Sequence, residues 1–476
     1  MLSRLARSVF SLPRTTHTAS APLRSLTNCG ETQMRHAVSI RRNTTGGARR
    51  CLPPVVSATE AVKAIHSHQT VYVHQGVCAP DTLIDAMVER HNELRDVSVI
   101  HLHIEGKSRH TNAEFKDSFR INAPFLGAST RKAVDEKRGD FIPVFLSDVP
   151  KLYRKGIIPI DVALIQVSPP DRHGFCTLGL SVCDARAAIE SARYVIAQVN
   201  PSMPRVYGDG VVHISDFDAV VEKDSPIIIK DSEELSPEAI AIGKNVASLI
   251  ENGSCLQMGI GALPDASLMA LTGHKDLGIH TEMFSDKLVD LVEAGAVSGM
   301  NKAQDRGKIV SSFLAGSKKL YDFVNENPEV LMLDVEYVNN PSKVALNRQM
   351  CAINSCIELD LTGQVCSDSI GSRIFSGVGG QVDFLRAAAI SEGGKPIMVL
   401  NSCTSRGESK IVPYLKTGAG VVTTRAHVHF VVTEFGVADL FGKNLRQRAV
   451  ELIKIAHPKH REALEKAAIE RLGPLL

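Results

Sequence analysis

Glu282 stands in HTEMFSDKLVDLVEAG (280–295), one carboxylate just ahead of a stretch that reads as an amphipathic helix. It follows LGI, a predicted strand end. At the carboxyl edge of a parallel sheet such a residue points into a ligand crevice, where a carboxylate can act as a nucleophile. On a loop at the surface it is an ordinary acid, and spacing alone leaves both readings open. Two glycine clusters offer partners. In MGIGALPD, Gly259 and Gly261 permit positive φ and close backbone approach, Pro264 suits a first helical turn, and Asp265 suits the positive end of a helix dipole. In SGVGGQVDFLRAA, Gly377, Gly379 and Gly380 precede a helical pattern, so backbone amides lie open to a ligand or the chain makes a tight turn.

Other chemistries lack their residues. There is no G-x-S-x-G elbow and no local Cys-His signature. After G-x-G at 259–261 comes Ala-Leu-Pro rather than the remaining glycine of a dinucleotide loop, and no Walker lysine follows. The ten cysteines are scattered without a C-x-x-C, which fits reduced thiols rather than a disulfide scaffold or zinc site. His427 and His429, on a predicted strand, and His457 and His460, at helical spacing, have no third ligand placed by local spacing. No metal site is expected.

The elements that must position these residues alternate. Strand candidates are TVYVHQG, VSVIHLHI, VALIQVS, YVIAQV, PIIIK, VLMLDVEYV, PIMVL and HVHFVVTEF. Helix candidates cover 57–67, 81–93, 236–252, 264–272, 286–294, 382–391 and 446–456. That alternation predicts α/β domains with largely parallel, buried sheets. The halves also echo one another. VYVHQGVCAPDTLIDAM (71–87) and SCLQMGIGALPDASLMAL (254–271) share a strand, a glycine, Pro-Asp and an amphipathic helix, and a second strand then ends in Glu105 or Glu282. Glu105 is therefore the second candidate carboxylate.

The net charge of +2 hides an asymmetry: residues 1–50 hold nine arginines, no lysine and one acid, Glu31, which is +8, leaving the remainder at −6. The acidic remainder argues against a broad nucleic-acid surface. The start MLSRLARSVFSLPR is amphipathic, Arg- and Ser-rich and acid-poor, the pattern of a mitochondrial transit peptide, with cleavage expected near Arg49–Cys51. No apolar run reaches the length of a membrane span. The expected organisation is a presequence over 1–50, an amino-terminal domain over 51–235 and a carboxyl-terminal domain over 236–476, with the mature protein in the mitochondrial matrix.

In order along the chain stand VSPPDRHGFCTLG, VIAQVNPSMPRVYGDG, GIGALPDA, HTEMFSD, VEYVNNP, INSCIELDLTGQV, GVGGQVDF, TSRGESKIVP and VVTEFGVADLFGKNLRQRA. Together they resemble the acetyl-CoA hydrolase/transferase family of class I CoA-transferases, over roughly residues 54–470. The closer resemblance is to its 4-hydroxybutyrate and acetate:succinate CoA-transferase branch. The resemblance implies two similar open α/β domains with largely parallel sheets and an active site between them. It implies that Glu282 is the nucleophile, with Gly380 at the oxyanion position and Asn340 orienting the glutamyl adduct; Asn339 beside it leaves that register open by one. It places CoA contacts at Gly259, Ile260, Gly261, Ala262, Leu263, Ile357, Gly379 and Gly380. It implies no permanently bound cofactor, coenzyme A and acyl-CoA as substrates, and a homodimer or higher homo-oligomer.

The expected reaction is acetyl-CoA plus succinate giving acetate plus succinyl-CoA through a glutamyl-CoA thioester, with ping-pong kinetics. The alternatives are a 4-hydroxybutyrate or butyrate:acetyl-CoA transferase, an acetyl-CoA hydrolase using the same glutamate, and a non-catalytic CoA-binding protein.

Overall fold

The apolar, β-branched run VALIQV at Val162–Val167 is buried along its whole length, as a strand must be when helices cover both faces of a parallel sheet. It lies in a seven-stranded sheet ordered Ala219–Glu222, Tyr194–Val199, Val162–Val167, Thr70–Val73, Val97–Ile100, Phe119–Ala123, Gly139–Phe141, in which every pairing is parallel. The second sheet has nine strands ordered Gly436–Asp439, Phe430–Thr433, Lys395–Val399, Met350–Ser355, Cys255–Met258, Gly278–His280, Ile309–Ser311, Val330–Met332, Tyr207–Gly208. It is parallel except at the hairpin edge Gly436–Asp439. The computed structural model describes residues 52–231, 234–259 and 261–475, all within one compact unit. The expected presequence and Ile260 lie outside the described residues.

Both sheets reverse their strand order at the strand that opens the glycine loop. In the first, Thr70–Val73 sits between Val97–Ile100 and Val162–Val167; in the second, Cys255–Met258 sits between Gly278–His280 and Met350–Ser355. Such switch points leave a crevice at the carboxyl ends of the strands. The sequence echo is thus a shared layout. Each half runs strand, loop, helix (Asp81–Glu89 or Ala262–Met269) and then a parallel neighbouring strand, followed by Glu105 or Glu282. One strand crosses over: Tyr207–Gly208, from the amino-terminal half, closes the edge of the second sheet against Leu331–Met332.

Three strand expectations need correction. PIIIK (226–230) forms no strand; Ile227 and Ile228 pack onto the core from an irregular segment, and the Tyr321 hydroxyl donates to Ile228 O. In VLMLDVEYV only Val330–Met332 is a strand, because Asp334 caps a helical turn at Val335–Val338, accepting from Glu336 N at 2.8 Å. In HVHFVVTEF the strand begins at Phe430. His427 sits in a turn bonded to Thr424, and His429 lies against the Phe441 ring.

Candidate active site

Glu282 lies two residues past the end of the strand Gly278–His280, and its main chain is tied down. Its carbonyl accepts from Ser312 N (2.9 Å), Phe313 N (3.1 Å) and Ser311 Oγ (3.1 Å). Thr281 beside it is buried. Its hydroxyl lies 3.2 Å from Met258 O and 2.9 Å from Met283 O, and it also accepts from Met258 N. The strand end carrying the glutamate is therefore fixed to the strand opening the Gly259 loop. A side chain on such a rigid base loses little positioning freedom.

The carboxylate itself faces two groups. Asn339 Nδ2 donates to Glu282 Oε2 at 2.7 Å. Gly380 lies so close behind both that a Cβ there would collide with Glu282 Oε2 and Asn339 Nδ2. Here glycine is required by space rather than by conformation, since its φ is −99°. Glu282 has no ion pair among the described residues. Burial pushes its carboxyl up from 4.5 to about 7, opposed by the Asn339 hydrogen bond.

This corrects the asparagine register. Asn340, expected to orient the glutamyl group, is instead the N-cap of the short helix Pro341–Val344, its Oδ1 accepting from Ser342 N at 3.0 Å. The residue on the glutamate is Asn339. It is fully buried, and His280 steadies its approach by donating from Nε2 to Val338 O at 2.9 Å. The carbonyl only accepts, so His280 carries its proton on Nε2. Burial pushes its pKa down to about 3.

The glycine segment 376–380 reaches the amino-terminal half. Leu126 N donates to Ser376 O at 2.8 Å and Leu146 N to Gly379 O at 3.1 Å. Gly377 leaves no room for a side chain beside Pro124 O and Phe125. Gly379 has φ +61°, the left-handed region. Gly380 then caps the helix Gln381–Ile390, where the first N–H groups have no intrahelical partner.

The other predicted positions share this edge. Gly259 donates to Ile353 O at 2.8 Å on the neighbouring strand. Gly261, at φ +114°, starts the helix Ala262–Met269, whose first turn holds Ala262 and Leu263; Leu263 packs on the core. Asp265 in that turn accepts from Ser285 Oγ at 2.6 Å. Ile357 follows Met350–Ser355 half-buried, its N–H donating to Cys366 O at 2.9 Å. Glu105 occupies the echoing position in the other half but is ion-paired to Lys230 at 2.5 Å. A paired carboxylate is a poorer nucleophile than an unpaired one, which separates the two candidates.

Residues that no spacing flagged also gather here. The His103 ring lies 5.4 Å from Phe313 and 6.1 Å from Phe125, centroid to centroid. Burial lowers the His103 pKa. Gln75, at the first switch point, donates to Ser181 Oγ at 3.0 Å. Ser312, whose N–H holds Glu282, and Gln75 both lie against the Cys183 thiol, while Asn339 Oδ1 is buried without a partner among the described residues. A buried polar atom left unsatisfied in this way fits a site that a polar ligand completes. Asn339 alone had a trace in the sequence, the doubled asparagine of VNNP. Among the described residues, no group of three or more His, Cys, Asp or Glu is placed to hold a metal ion.

A strand-end carboxylate with no counter-ion among the described residues, an amide on its oxygen and a glycine wall behind it meet at one sheet edge. Residues 49–229 match the model of the acetyl-CoA hydrolase/transferase N-terminal domain, and residues 316–468 match that of the C-terminal domain. The chain belongs to the acetyl-CoA hydrolase/transferase family. It is 51% identical, over 84% of its length and 85% of the relative's, to a succinyl-CoA:acetate/propanoyl-CoA:succinate CoA transferase of Fasciola hepatica. It is 48% identical to the 4-hydroxybutyrate coenzyme A transferase of Clostridium kluyveri, over 86% of this chain and 96% of that one. The crystal structure of a 4-hydroxybutyrate CoA-transferase from Porphyromonas gingivalis superposes with a TM-score of 0.77 at 40% identity, covering 88% of this chain and 98% of that one.

Proposed function

We propose that this protein moves CoA between short-chain carboxylic acids, taking it from acetyl-CoA to succinate to give acetate and succinyl-CoA, with Glu282 as the nucleophile. The observation that carries this reading is the Glu282 carboxylate, half-buried, without a counter-ion among the described residues and held by Asn339 against Gly380. The succinyl-CoA and acetate named for the Fasciola hepatica relative support this substrate pair.

The exchange trades one thioester for another of similar energy, so no nucleotide is consumed. The Glu282 carboxylate attacks the acetyl-CoA carbonyl; the C–S bond breaks, giving an acetyl-glutamyl anhydride and CoA thiolate. The thiolate attacks the Glu282 carbonyl and expels acetate, leaving a glutamyl-CoA thioester. Succinate attacks that thioester and releases thiolate, which then takes the succinyl group from the new anhydride and restores Glu282. Splitting the exchange in this way gives ping-pong kinetics. Each addition makes an oxyanion, and backbone N–H donors around Gly379 and Gly380 can each stabilise it by about 3–4 kcal/mol. Asn339 holds the carboxylate in one orientation before attack and the acyl oxygen afterwards.

A carboxylate is a weak nucleophile, so the CoA handle must supply positioning through contacts remote from the reacting atoms. The Gly259–Leu263 loop and Ile357, at the same sheet edge, are the positions we assign to it. The Arg-rich first fifty residues support delivery to the mitochondrial matrix, and a homodimer or higher homo-oligomer is the assembly we assign. Incubating the purified protein with acetyl-CoA, with and without succinate, tests the reading. Succinyl-CoA formed only with succinate is expected. Free CoA at the same rate without any acceptor would make it a hydrolase, and turnover with 4-hydroxybutyrate but not succinate would change the acceptor.

A further inference from the structure

Asp383 lies in the first turn of Gln381–Ile390, three residues beyond Gly380, and is 5% exposed. No ion pair to it exists among the described residues. It accepts instead from Ser147, from the backbone N–H at 3.3 Å and from Oγ at 3.0 Å. Ser147 belongs to the amino-terminal half and directly follows Leu146, whose N–H holds Gly379 O. The residue before that, Phe145, pairs with Gly379 as a β-bridge. Segment 145–147 thus grips the glycine segment on one side and the start of the following helix on the other.

An acid in a first helical turn gains from the helix dipole at the surface, without burial. Burying it beside other acids is costly. Burial, then the charges of Glu282 and Asp148, push the Asp383 carboxyl up to about 7, against the two bonds from Ser147; Lys151, paired with Asp148 at 2.6 Å, is the nearby cation. The Ser147–Asp383 contact closes the third tether on the backbone that backs Glu282, after Leu126–Ser376 and Leu146–Gly379.

We propose that Asp383 is a positioning residue: by holding Ser147 it pins the 376–380 backbone to the amino-terminal half and fixes the wall that Gly380 presents to Glu282. This rests on the reading of Glu282 as the nucleophile. Loss of the tether lets that wall retreat, and a displacement of about 1 Å at a reacting centre costs up to about a hundredfold in rate.

The test is a single turnover with acetyl-CoA, quenched at intervals and read by intact mass, which separates the rate of CoA-adduct formation from its final amplitude. Asp383→Ala and Ser147→Ala should each slow the adduct by roughly tenfold to a hundredfold at full amplitude. The double variant should be no slower than Asp383→Ala, since Ser147→Ala removes only the Oγ bond, whereas Asp383→Ala removes that bond and the one from the Ser147 N–H. Asp383→Asn keeps an oxygen for Ser147 and should recover part of the rate. Wild-type rates in the single variants, a reduced amplitude at an unchanged rate, or losses that multiply in the double variant would overturn the proposal. If Asp383→Ala does not accumulate as folded protein, Ser147→Ala and Asp383→Asn decide by the same criteria. A wild type that forms no adduct would remove the nucleophile reading, and this inference with it; a wild-type adduct with unaffected variants would remove this inference alone.

Discussion

At the scale of the residue, the site is defined by what Glu282 lacks. Among the described residues, Glu105 in the echoing half has its lysine and Glu282 has no cation. A half-buried carboxylate hydrogen-bonded by one amide holds its proton more tightly than an unfolded one, its pKa pushed by burial from the ordinary 4.5 to about 7. Two consequences follow from that sign. The native state binds the extra proton in this window, so stability is lost as pH rises through it. Glu282→Gln, which still accepts from Asn339, should therefore be more stable than wild type at pH 8 by about 1–3 kcal/mol, with the gain gone below about pH 4.5; urea denaturation at the two pH values measures this. Nucleophilic attack needs the ionised form, so adduct formation should rise with pH up to about 7 and then level. Asn339→Ala removes the bond that holds the glutamate pKa down. Its rate profile should shift to higher pH, and its plateau should fall roughly tenfold or more, read in the same pH series.

At the scale of the element, two glycine loops and two strand ends converge on one sheet edge. Gly380 is the tightest point. Gly380→Ala should displace either the Glu282 carboxylate or the helix start, abolishing transfer to within about a hundredth of wild type while costing only about 1–3 kcal/mol of stability; initial rates and thermal melts on one preparation separate the two. The glycines were visible in the sequence as glycines, but what they face was not, because Gly380 meets Glu282 across 98 residues of chain and Asn339 across 41. The asparagine shows the same limit. In VNNP both residues look alike until the turn Val335–Val338, capped by Asp334, sends Asn339 inward and leaves Asn340 to cap the next helix. PIIIK failed as a strand for a related reason. Ile227 and Ile228 are used to cover the core and not to extend a sheet, and strand propensity cannot tell these apart.

At the scale of the whole molecule, alternation of apolar runs and helical patterns was enough for α/β class and parallel sheets, since burial on both faces turns a strand into a continuous apolar run that the sequence shows directly. The ordered motifs carried the family. Neither could place Ser147, Arg154 or Leu126, which act across the halves. Arg154, from the first half, pairs with Glu190 at 2.9 Å, Asp334 at 2.6 Å and Glu336 at 2.7 Å, and so grips the turn that delivers Asn339. Arg154→Ala should destabilise the fold by about 1–3 kcal/mol, since Asp334 is left buried without its cation. The two sheets should also unfold in one transition, with probes placed in each half giving coincident denaturation curves. Two separated transitions would show that the contacts between the halves contribute little to stability.

The central claim is that Glu282 takes CoA covalently. Intact mass spectrometry after acetyl-CoA treatment, followed by mapping of the modified peptide, tests it most directly. The wild type should gain one CoA less one water on the peptide carrying Glu282, lose it on addition of succinate, and show none in Glu282→Ala. A CoA adduct that persists in Glu282→Ala, or succinyl-CoA formed by that variant at a near-normal rate, would contradict the account.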